Sequence, residues 1–299
     1  MMNLIEELLH TGSCSVVGLE KNTGKTVCLN YILTHLPADA RVAVTSIGID
    51  GESKDQVTGT KKPEIWLRRG MVFATSEKHY RMRKLVSEVL DVSNERTALG
   101  QLVTGRVLTE GKVMLSGPGS TASIRRWMDE VKPYANLVLV DGALSRMSLA
   151  SPTVSEAMVL ATGAAYSANI DTLVKKTAYV VELINLPLAP ESTDEEKRIY
   201  VDGAVTDRVL EKLMSDKENQ GKELVIQDFT KVFADAMVWH RFQKWMPVYV
   251  RRRSKLLAVT VNPTAPNGMV LDSEILCRRM SEAIGLPVYD LMREEERKE

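Results

Sequence analysis

The sequence predicts an α/β protein in which helices flank a mostly parallel β-sheet. Short apolar runs rich in β-branched residues alternate with stretches of helical period along most of the chain. The 299 residues are 44% hydrophobic, which is enough for a sizeable core. Because no internal repeat or low-complexity linker interrupts the pattern, we expect a single domain over residues 1–299.

The predicted elements follow one another in a regular order. Strands are predicted at residues 14–18, 41–47, 113–116, 137–140, 158–161, 223–226, 256–261 and 288–290. Helices are predicted at residues 25–35, 121–131, 170–183, 206–214, 233–245 and 273–284, several with Ser, Thr or Asp near the start. The last residues, 291–299, are expected to form a charged tail.

A β-rich hairpin excursion is predicted for residues 51–110, where the alternation of strands and helices breaks down. The stretch PEIWLRRGMVFATSE is typical of two strands around a turn at Arg69 and Gly70. The stretch LVTGRVLTEGKVMLS is typical of another turn-linked pair. We expect both pairs to depart from the main sheet.

The charge balance argues against a nucleic-acid partner. Lys plus Arg number 39, as do Asp plus Glu, and no long basic stretch is present. The start, MMNLIEELLHTGS, carries Glu6 and Glu7 where a secretory signal has positive charge, and no stretch reaches the ~18 apolar residues of a membrane span. We therefore expect a cytoplasmic protein without a membrane or nucleic-acid partner.

The three cysteines are scattered along the chain. Cys14, Cys28 and Cys277 form no CxxC pair, and the four histidines lie far apart. This spacing argues against a disulfide framework and against a Cys/His zinc site. We expect buried, unreactive thiols.

The stretch GLEKNTGKT, which begins at Gly18, has the features of a phosphate-binding loop. Such a loop needs inward-facing backbone N–H groups, glycine where a side chain would collide, a lysine for phosphate charge and a hydroxyl for magnesium. Gly24, Lys25 and Thr26 supply the last three between a predicted strand and a predicted helix. The first glycine departs from the GxxxxGK[ST] pattern, because position 19 is Leu19. The alternative is a turn that contains GKT by chance.

Lys21, Asn22 and Thr23 complete the predicted loop. KNTGKT resembles the KNSGKT version seen in P-loop proteins of the molybdopterin-guanine dinucleotide biosynthesis and dethiobiotin synthetase kind. Lys21 is either a second phosphate-facing charge or an exposed loop lysine, and Lys25 is the better candidate. We predict that the loop binds ATP or GTP together with Mg²⁺.

Metal ligands are expected at the carboxyl ends of strands, because a magnesium ion held by Thr26 needs further oxygen ligands. Asp141 ends the apolar run NLVLVD, a Walker B pattern in which a buried strand delivers a carboxylate to the sheet edge. Asp50 ends VAVTSIGID, where related folds place an acid that senses the metal and the γ-phosphate. The alternatives are a cap or turn at Asp141 and a turn at Asp50.

Asn262 ends a late strand in LLAVTVNPTAPNG. In dethiobiotin-synthetase-like proteins an Asn at the end of a late strand contacts the nucleotide base, since its amide is both donor and acceptor. Otherwise Asn262 caps a turn before Pro263. Two more glycine stretches, LSGPGSTAS from Leu115 and LATGAAYS from Leu160, either open toward a second ligand or form tight strand-to-helix connections.

Seven sequence segments along the chain together resemble one family. They are GLEKNTGKT, TSIGIDGE, KPEIWLRRGMVFAT, LVDGALSR, VLATGAA, YVDGAVTD and AVTVNP. That family is the smaller subunit of the reactivase for adenosylcobalamin-dependent lysine or ornithine aminomutases. The resemblance covers residues 18 to about 290. It implies a P-loop NTPase fold and a protein that works with a companion ATPase to exchange damaged cobalamin on the aminomutase. No motif resembles the histidine-containing cobalamin-binding motif of the mutases, so cobalamin is not assigned to this chain.

Three functions are compatible with these predictions. The first is a reactivation or chaperone subunit, in which nucleotide at Lys25, Thr26, Asp50 and Asp141 changes the grip on the aminomutase. The second is an ATP-dependent enzyme of the dethiobiotin synthetase type, and the third is a nucleotide-binding scaffold without turnover. No residue is identified as the base that orients the attacking water. Slow NTP hydrolysis is therefore one alternative. The sequence also leaves a homodimer as an alternative.

Overall fold

The structure, a computed structural model, describes residues 2–47, 64–97, 99–143, 154–191 and 195–296. Its helices are α1 (Met2–Leu9), α2 (Lys25–His35), α3 (Glu77–Arg81), α4 (Thr121–Val131), α5 (Ile170–Ile184), α6 (Asp207–Ser215), α7 (Ala236–Trp245), α8 (Ser273–Ile284) and α9 (Leu291–Glu296). None of the helices in these ranges has the length and apolar character needed to cross a membrane.

The strands form two sheets. They are β1 (Ser13–Gly18), β2 (Val42–Ser46), β3 (Ile65–Leu67), β4 (Val72–Ser76), β5 (Lys84–Thr97), β6 (Gly100–Val113), β7 (Leu137–Ala143), β8 (Ala157–Gly163), β9 (Arg198–Val201), β10 (Glu223–Ile226), β11 (Val248–Val250), β12 (Lys255–Asn262) and β13 (Val288–Tyr289). A large ten-stranded sheet contains all of them except β9, β10 and β11, which form a three-stranded sheet.

The large sheet is mostly parallel, which confirms the predicted fold class. Its strand order is β13-β12-β8-β1-β7-β2-β4-β6-β3, and β5 pairs with β6. The strands from β13 to β4 run parallel, whereas β3, β4 and β5 each pair antiparallel with β6. Gly18, at the end of β1, is level with Ala143 of β7 and Ala161 of β8. The chain therefore leaves β1 at the carboxyl edge, between two neighbouring strands.

Side chains of the large sheet alternate between two helix-covered faces. Leu139 of β7 belongs to the same core cluster as Ile32 of α2. The next residue, Val140, belongs to a different cluster with Trp127 of α4. Because successive residues of a strand point to opposite faces, α2 covers one face of the sheet and α4 covers the other.

The predicted β-rich excursion contains β3 to β6, but these strands extend the large sheet instead of departing from it, because β4 pairs with β2. Their pairing corrects two further predictions. The stretch LVTGRVLTEGKVMLS is not a turn-linked pair, because most of it lies in the single long strand β6. Residues 114–116 were predicted as strand but follow β6 as a connection, in which Oγ of Ser116 accepts from the amide of Ser76 (3.0 Å). The predicted turn at Gly70 does separate β3 from β4, but both pair with β6 in one continuous register and not with each other.

The second sheet is an α/β unit inserted between α5 and β12. Its order is β11-β10-β9, with parallel pairing, and α6 and α7 connect its strands. The strand predicted at residues 223–226 is β10, so it belongs to this sheet and not to the large one. Leu224 and Trp239 of the insertion share a core cluster with Val17 and Leu160 of the large sheet. The two sheets therefore have a common core.

The predicted helices are present with small differences at their ends, while α1, α3 and α9 were not predicted. Helix α9 replaces the first part of the predicted charged tail. Asp290 precedes this helix and its Oδ1 accepts from the amide of Arg293 (3.5 Å). Leu291 is only 4% exposed and packs into the core beneath α2. The apolar start of this segment therefore holds it against the body of the protein.

Candidate functional site

The candidate site is centred on the nucleotide loop, our name for residues 18–26 between β1 and the start of α2. The amide of Leu19 donates to the carbonyl of Ala161 in β8 (2.9 Å). The first residue after β1 is therefore still held by the sheet. The chain then enters α2 at Lys25, so the loop and the amino terminus of α2 lie together at the carboxyl edge.

The backbone of the nucleotide loop changes handedness near its end. Asn22 has a φ of 61° and Gly24 a φ of 87°, whereas Thr23 between them is not left-handed. Such alternation turns successive N–H groups to one side and forms a concavity that suits an anion. Glycine adopts positive φ freely, and asparagine tolerates it better than most residues. The sequence NTG is therefore suited to this shape.

The amino terminus of α2 is open. Its N-cap is Gly24, which has no side chain to accept from the first turn, and the amide of Cys28 donates to the carbonyl of Gly24 (2.9 Å). The amides of Lys25, Thr26 and Val27 precede this intrahelical bond. By contrast, side chains cap α4, α5, α7 and α8, while α3 and α6 share with α2 the lack of a side-chain cap bond. Open amides at a helix start favour an anion through hydrogen bonds and the helix dipole.

The path of the Lys25 side chain explains why residue 18 is glycine. A Cβ on Gly18 would lie 2.6 Å from both Cγ and Cδ of Lys25, and 2.7 Å from Oγ1 of Thr23. The aliphatic stem of Lys25 therefore passes over Gly18, and the residue is half-buried instead of extended into solvent. The glycine that departs from the usual spacing thus has a steric role here. The structure brings Gly18, Thr23 and Lys25 together.

Side chains of the nucleotide loop also bind its own backbone. Thr23 is buried, and its Oγ1 donates to the carbonyl of Glu20 (2.8 Å). Oε1 of Glu20 accepts from the amide of Lys21 (2.9 Å). Lys21 and Asn22 are exposed. The hydroxyl of Thr23 thus braces the loop, and a nucleotide contact by Thr23 would use its backbone; the role of Lys21 stays open.

Asp141 lies on the strand next to β1, on the face that α2 covers. It is level with Val16 of β1 and with Ser46 of β2, and β7 continues past it. Because Leu139 faces α2 and strand residues alternate, Asp141 also faces α2. Its negative charge contributes to a raised pKa of Cys28 in the first turn of α2. The strand therefore delivers a carboxylate close to the start of α2.

Two buried thiols lie in the core between α2 and the large sheet, that of Cys28 on α2 and that of Cys14 on β1. Burial raises the pKa of Cys28 to about 12, the hydroxyl of Thr260 lowers it in part, and the charge of Asp141 adds to the rise. Burial is also the main reason that the pKa of Cys14 is raised, followed by the proximity of Cys28. Both thiols are protonated at neutral pH, which agrees with the prediction of unreactive thiols.

Asn262 holds the nucleotide loop to the end of β12. Its Nδ2 donates to the carbonyl of Asn22 (3.0 Å), and its Oδ1 accepts from the amide of Thr264 (3.1 Å). The second bond is the turn cap that the sequence left as one alternative. The first bond was not predicted from the sequence. The protein itself engages both ends of the amide, and a contact with a nucleotide base stays a prediction.

A small cavity lies between the nucleotide loop and α9. Its volume is about 50 Å³, which is room for roughly three or four water molecules. Val27, Thr260, Asn262, Leu291 and Met292 are among its lining residues. Thr260 and α9 were not predicted as parts of the site. The signal that could have revealed α9 is the apolar pair at its start, which follows an Asp in an otherwise charged segment.

The two other glycine stretches form tight connections, one of the two predicted alternatives. A Cβ on Gly117 would lie 1.7 Å from the carbonyl oxygen of Ser46, and Ser120 caps α4. In the other stretch, the amide of Ala164 donates to the carbonyl of Asn262 (2.9 Å). Backbone contacts therefore fill the space beside Gly117 and hold Ala164 to the end of β12.

Thr26 and Asp141 are the predicted metal ligands that the structure describes. Asp50 lies outside the described residues. Within the described ranges, no group of three or more His, Cys, Asp or Glu residues could hold a metal ion. A magnesium ion here would take its remaining ligands from phosphates and water, which is how this ion is commonly bound beside phosphates.

Comparison of the chain with protein-family models, with curated proteins and with solved structures finds no match. The site is therefore interpreted from its own geometry.

Proposed function

We propose that the chain binds a nucleoside triphosphate, ATP or GTP, together with Mg²⁺ at the nucleotide loop. The observation that carries this proposal is the path of Lys25, whose stem lies over Gly18 inside the loop. Lys25 is also the first residue of α2, whose initial amides are uncapped. An ammonium group and open amides at one place suit the charge and the hydrogen-bond acceptors of a triphosphate.

The residues around the loop also fit Mg²⁺. Thr26 offers a hydroxyl in the first turn of α2, and Asp141 offers a carboxylate on the neighbouring strand. Magnesium prefers such oxygen ligands and usually takes one or two carboxylates beside phosphates and water. A bound ion would neutralise phosphate charge, and Thr26 and Asp141 would hold it directly or through water.

We propose further that nucleotide binding serves the reactivation of a cobalamin-dependent aminomutase, together with a companion ATPase. This part rests on the sequence resemblance. An enzyme of the dethiobiotin synthetase type needs a second ligand site beside the phosphates. The glycine stretches predicted to provide one make tight backbone contacts at Gly117 and Ala164, which favours reactivation as the use of the nucleotide.

The binding proposal is tested by Lys25→Ala. We expect its affinity for Mg·ATP and Mg·GTP to fall about tenfold to 150-fold, because hydrogen bonds to charged groups contribute about 1.5–3 kcal/mol. The melting temperature should change by less than about 3 °C, since no core contact is removed. Lys212→Ala, on the exposed side of α6, makes the same charge change away from the loop and is the control. Unchanged affinity in Lys25→Ala, measured by calorimetry, would remove the assignment.

The reactivation proposal is tested with an inactivated aminomutase, the companion ATPase, cobalamin and Mg·ATP. Recovery of mutase activity should require this chain and should be lost with Lys25→Ala. Nucleotide binding without any recovery would leave a nucleotide-binding scaffold as the function.

A further inference from the structure

The cavity between the nucleotide loop and α9 has apolar side chains that are open to solvent. Val27 of α2 is 38% exposed and Met292 of α9 is 53% exposed, and both line the cavity. Leu291, next to Met292, is buried and fixes the start of α9. A flat apolar ligand in the cavity would cover both exposed side chains, and methionine packs well against aromatic rings.

Thr260 adds a polar group to the same cavity. The residue is 3% exposed, and its Oγ1 is buried without a hydrogen-bond partner among the described residues. The hydroxyl lies near the thiol of Cys28 and lowers its pKa, but the two groups do not meet the geometry of a hydrogen bond. A buried hydroxyl without a partner costs folding free energy, and such groups are uncommon in folded proteins. A polar ligand atom in the cavity would supply the missing partner.

We infer that this cavity receives the nucleoside part of the bound nucleotide and that α9 forms its outer wall. The inference rests on the proposed function, because it requires the phosphates to lie in the nucleotide loop. The cavity includes Gly24, the N-cap of α2. Sugar and base attached to phosphates at this helix start would lie next to Gly24 and Val27. The ring then packs against Val27 and Met292, and Thr260 binds a polar atom of the nucleoside.

The size of the cavity predicts that α9 adjusts on binding. A volume of about 50 Å³ is too small for a complete nucleoside. Met292 is exposed and has a flexible side chain, whereas Leu291 is anchored in the core. We therefore expect the Met292 side chain to move outward and then to cover the ring. Amide hydrogen exchange in α9 should slow when Mg·ATP or Mg·GTP binds and should not slow with Mg·tripolyphosphate.

The wall is tested by Met292→Gln, which removes an apolar contact without adding charge. Met237→Gln, on α7 and 81% exposed, is the matched control. Each variant is titrated with Mg·ATP, Mg·GTP and Mg·tripolyphosphate, which has phosphates but no nucleoside. Met292→Gln should lower the affinity for the more tightly bound nucleotide about fivefold and change the affinity for tripolyphosphate by less than about twofold. The reason is that only the nucleoside touches α9. Met237→Gln should change neither.

The outcomes separate this inference from the proposed function. The nucleoside cavity is overturned if tripolyphosphate binds the unaltered chain as tightly as either nucleotide does. It is also overturned if Met292→Gln lowers the affinity for all three ligands equally. Both results leave phosphate binding in place. Nucleotide affinity unchanged in Met292→Gln also overturns the nucleoside cavity. An unaltered chain that binds none of the three ligands removes the proposed function, and the inference with it.

Thr260→Val provides a second measurement. This variant removes the hydroxyl and keeps the shape, so the melting temperature should stay the same or rise. Affinity for the tighter nucleotide should nevertheless fall about threefold to tenfold, with tripolyphosphate unchanged. A merely structural threonine would give a lower melting temperature and no selective loss of nucleotide, and that result contradicts the inference.

Discussion

Two glycine-containing connections reach the carboxyl edge of the large sheet, and they end in different ways. The nucleotide loop leads into α2 on one face, and the connection from residue 114 to residue 120 leads into α4 on the other face. The start of α4 is capped by the side chain of Ser120, whereas the start of α2 is capped by Gly24 and has no side-chain acceptor. The two connections therefore share a glycine-containing approach but differ in the state of their first helical amides. That difference fits the ligand loop proposed before α2, although α3 and α6 also begin without a side-chain cap bond.

The glycines of the two connections also make room for different groups. Gly117 makes room for the carbonyl oxygen of Ser46, which belongs to the backbone. Gly18 makes room for two side chains, the flexible stem of Lys25 and the hydroxyl of Thr23. One glycine therefore supports the fold and the other supports the proposed function. Variants of the two connections should separate these roles.

The largest effect is expected for Gly117→Ala. The added Cβ would lie 1.7 Å from the backbone oxygen of Ser46, and no side-chain rotation relieves such a contact. We expect the free energy of unfolding in urea to fall by about 3 kcal/mol or more. Gly203→Ala is the control, because nothing lies within 4 Å of a Cβ there. Similar stabilities of the two variants would show that the connection before α4 is not held as tightly as described.

Asp141→Asn tests the carboxylate that faces α2. In the presence of Mg²⁺, nucleotide affinity should fall about tenfold or more, because a charged metal ligand is lost. Without Mg²⁺, affinity should stay the same or increase slightly, since the variant lacks a negative charge that repels phosphates. Asp129→Asn on α4, where the side chain is 67% exposed, should change neither value. An equal loss with and without Mg²⁺ would show that Asp141 does not act through the metal ion.

Gly18→Ala is expected to reduce binding more than stability. The added Cβ displaces the stem of Lys25, so nucleotide affinity should fall about tenfold, while the free energy of unfolding changes by less than about 1 kcal/mol. Combining Gly18→Ala with Lys25→Ala should add little to the loss from Lys25→Ala, because both changes act on one interaction. Additive losses would show that Gly18 acts independently of Lys25.

The parts of the fold that could be predicted are those in which local sequence determines the element. Strands β7 and β8 begin as continuous apolar runs, and β1 is buried along its whole length, because helices cover both faces of the sheet. The pairing of β3 to β6 was harder to predict, since Gly105 resembles a turn residue but lies within β6. A Cβ on Gly105 would be 3.1 Å from the ring of Phe73, so this glycine makes room for a neighbouring strand. The sequence alone does not show which strand lies beside it.

In the candidate site, too, the locally determined parts could be predicted and the long-range contacts could not. Gly24, Lys25 and Thr26 could be singled out because their roles depend on a short motif between one strand and one helix. The bond from Asn262 to the carbonyl of Asn22 joins residues far apart in the chain. The contribution of α9 to the cavity likewise depends on how the chain returns to the loop. Such long-range contacts have no local signal, which is why the nucleotide loop could be predicted from the sequence and the cavity beside it could not.

The smallest effect is expected for Ser120→Ala, at the closed helix start. Oγ of Ser120 accepts from the amide of Ser123 (3.1 Å), and losing such a cap typically costs about 1 kcal/mol. The free energy of unfolding should fall by this amount, while nucleotide affinity stays unchanged because this helix start is already satisfied by the protein. Ser120→Asp keeps an acceptor and should retain most of the stability. A loss of nucleotide affinity in Ser120→Ala without a loss of stability would mean that the start of α4 binds ligand, and the distinction between the two connections would fail.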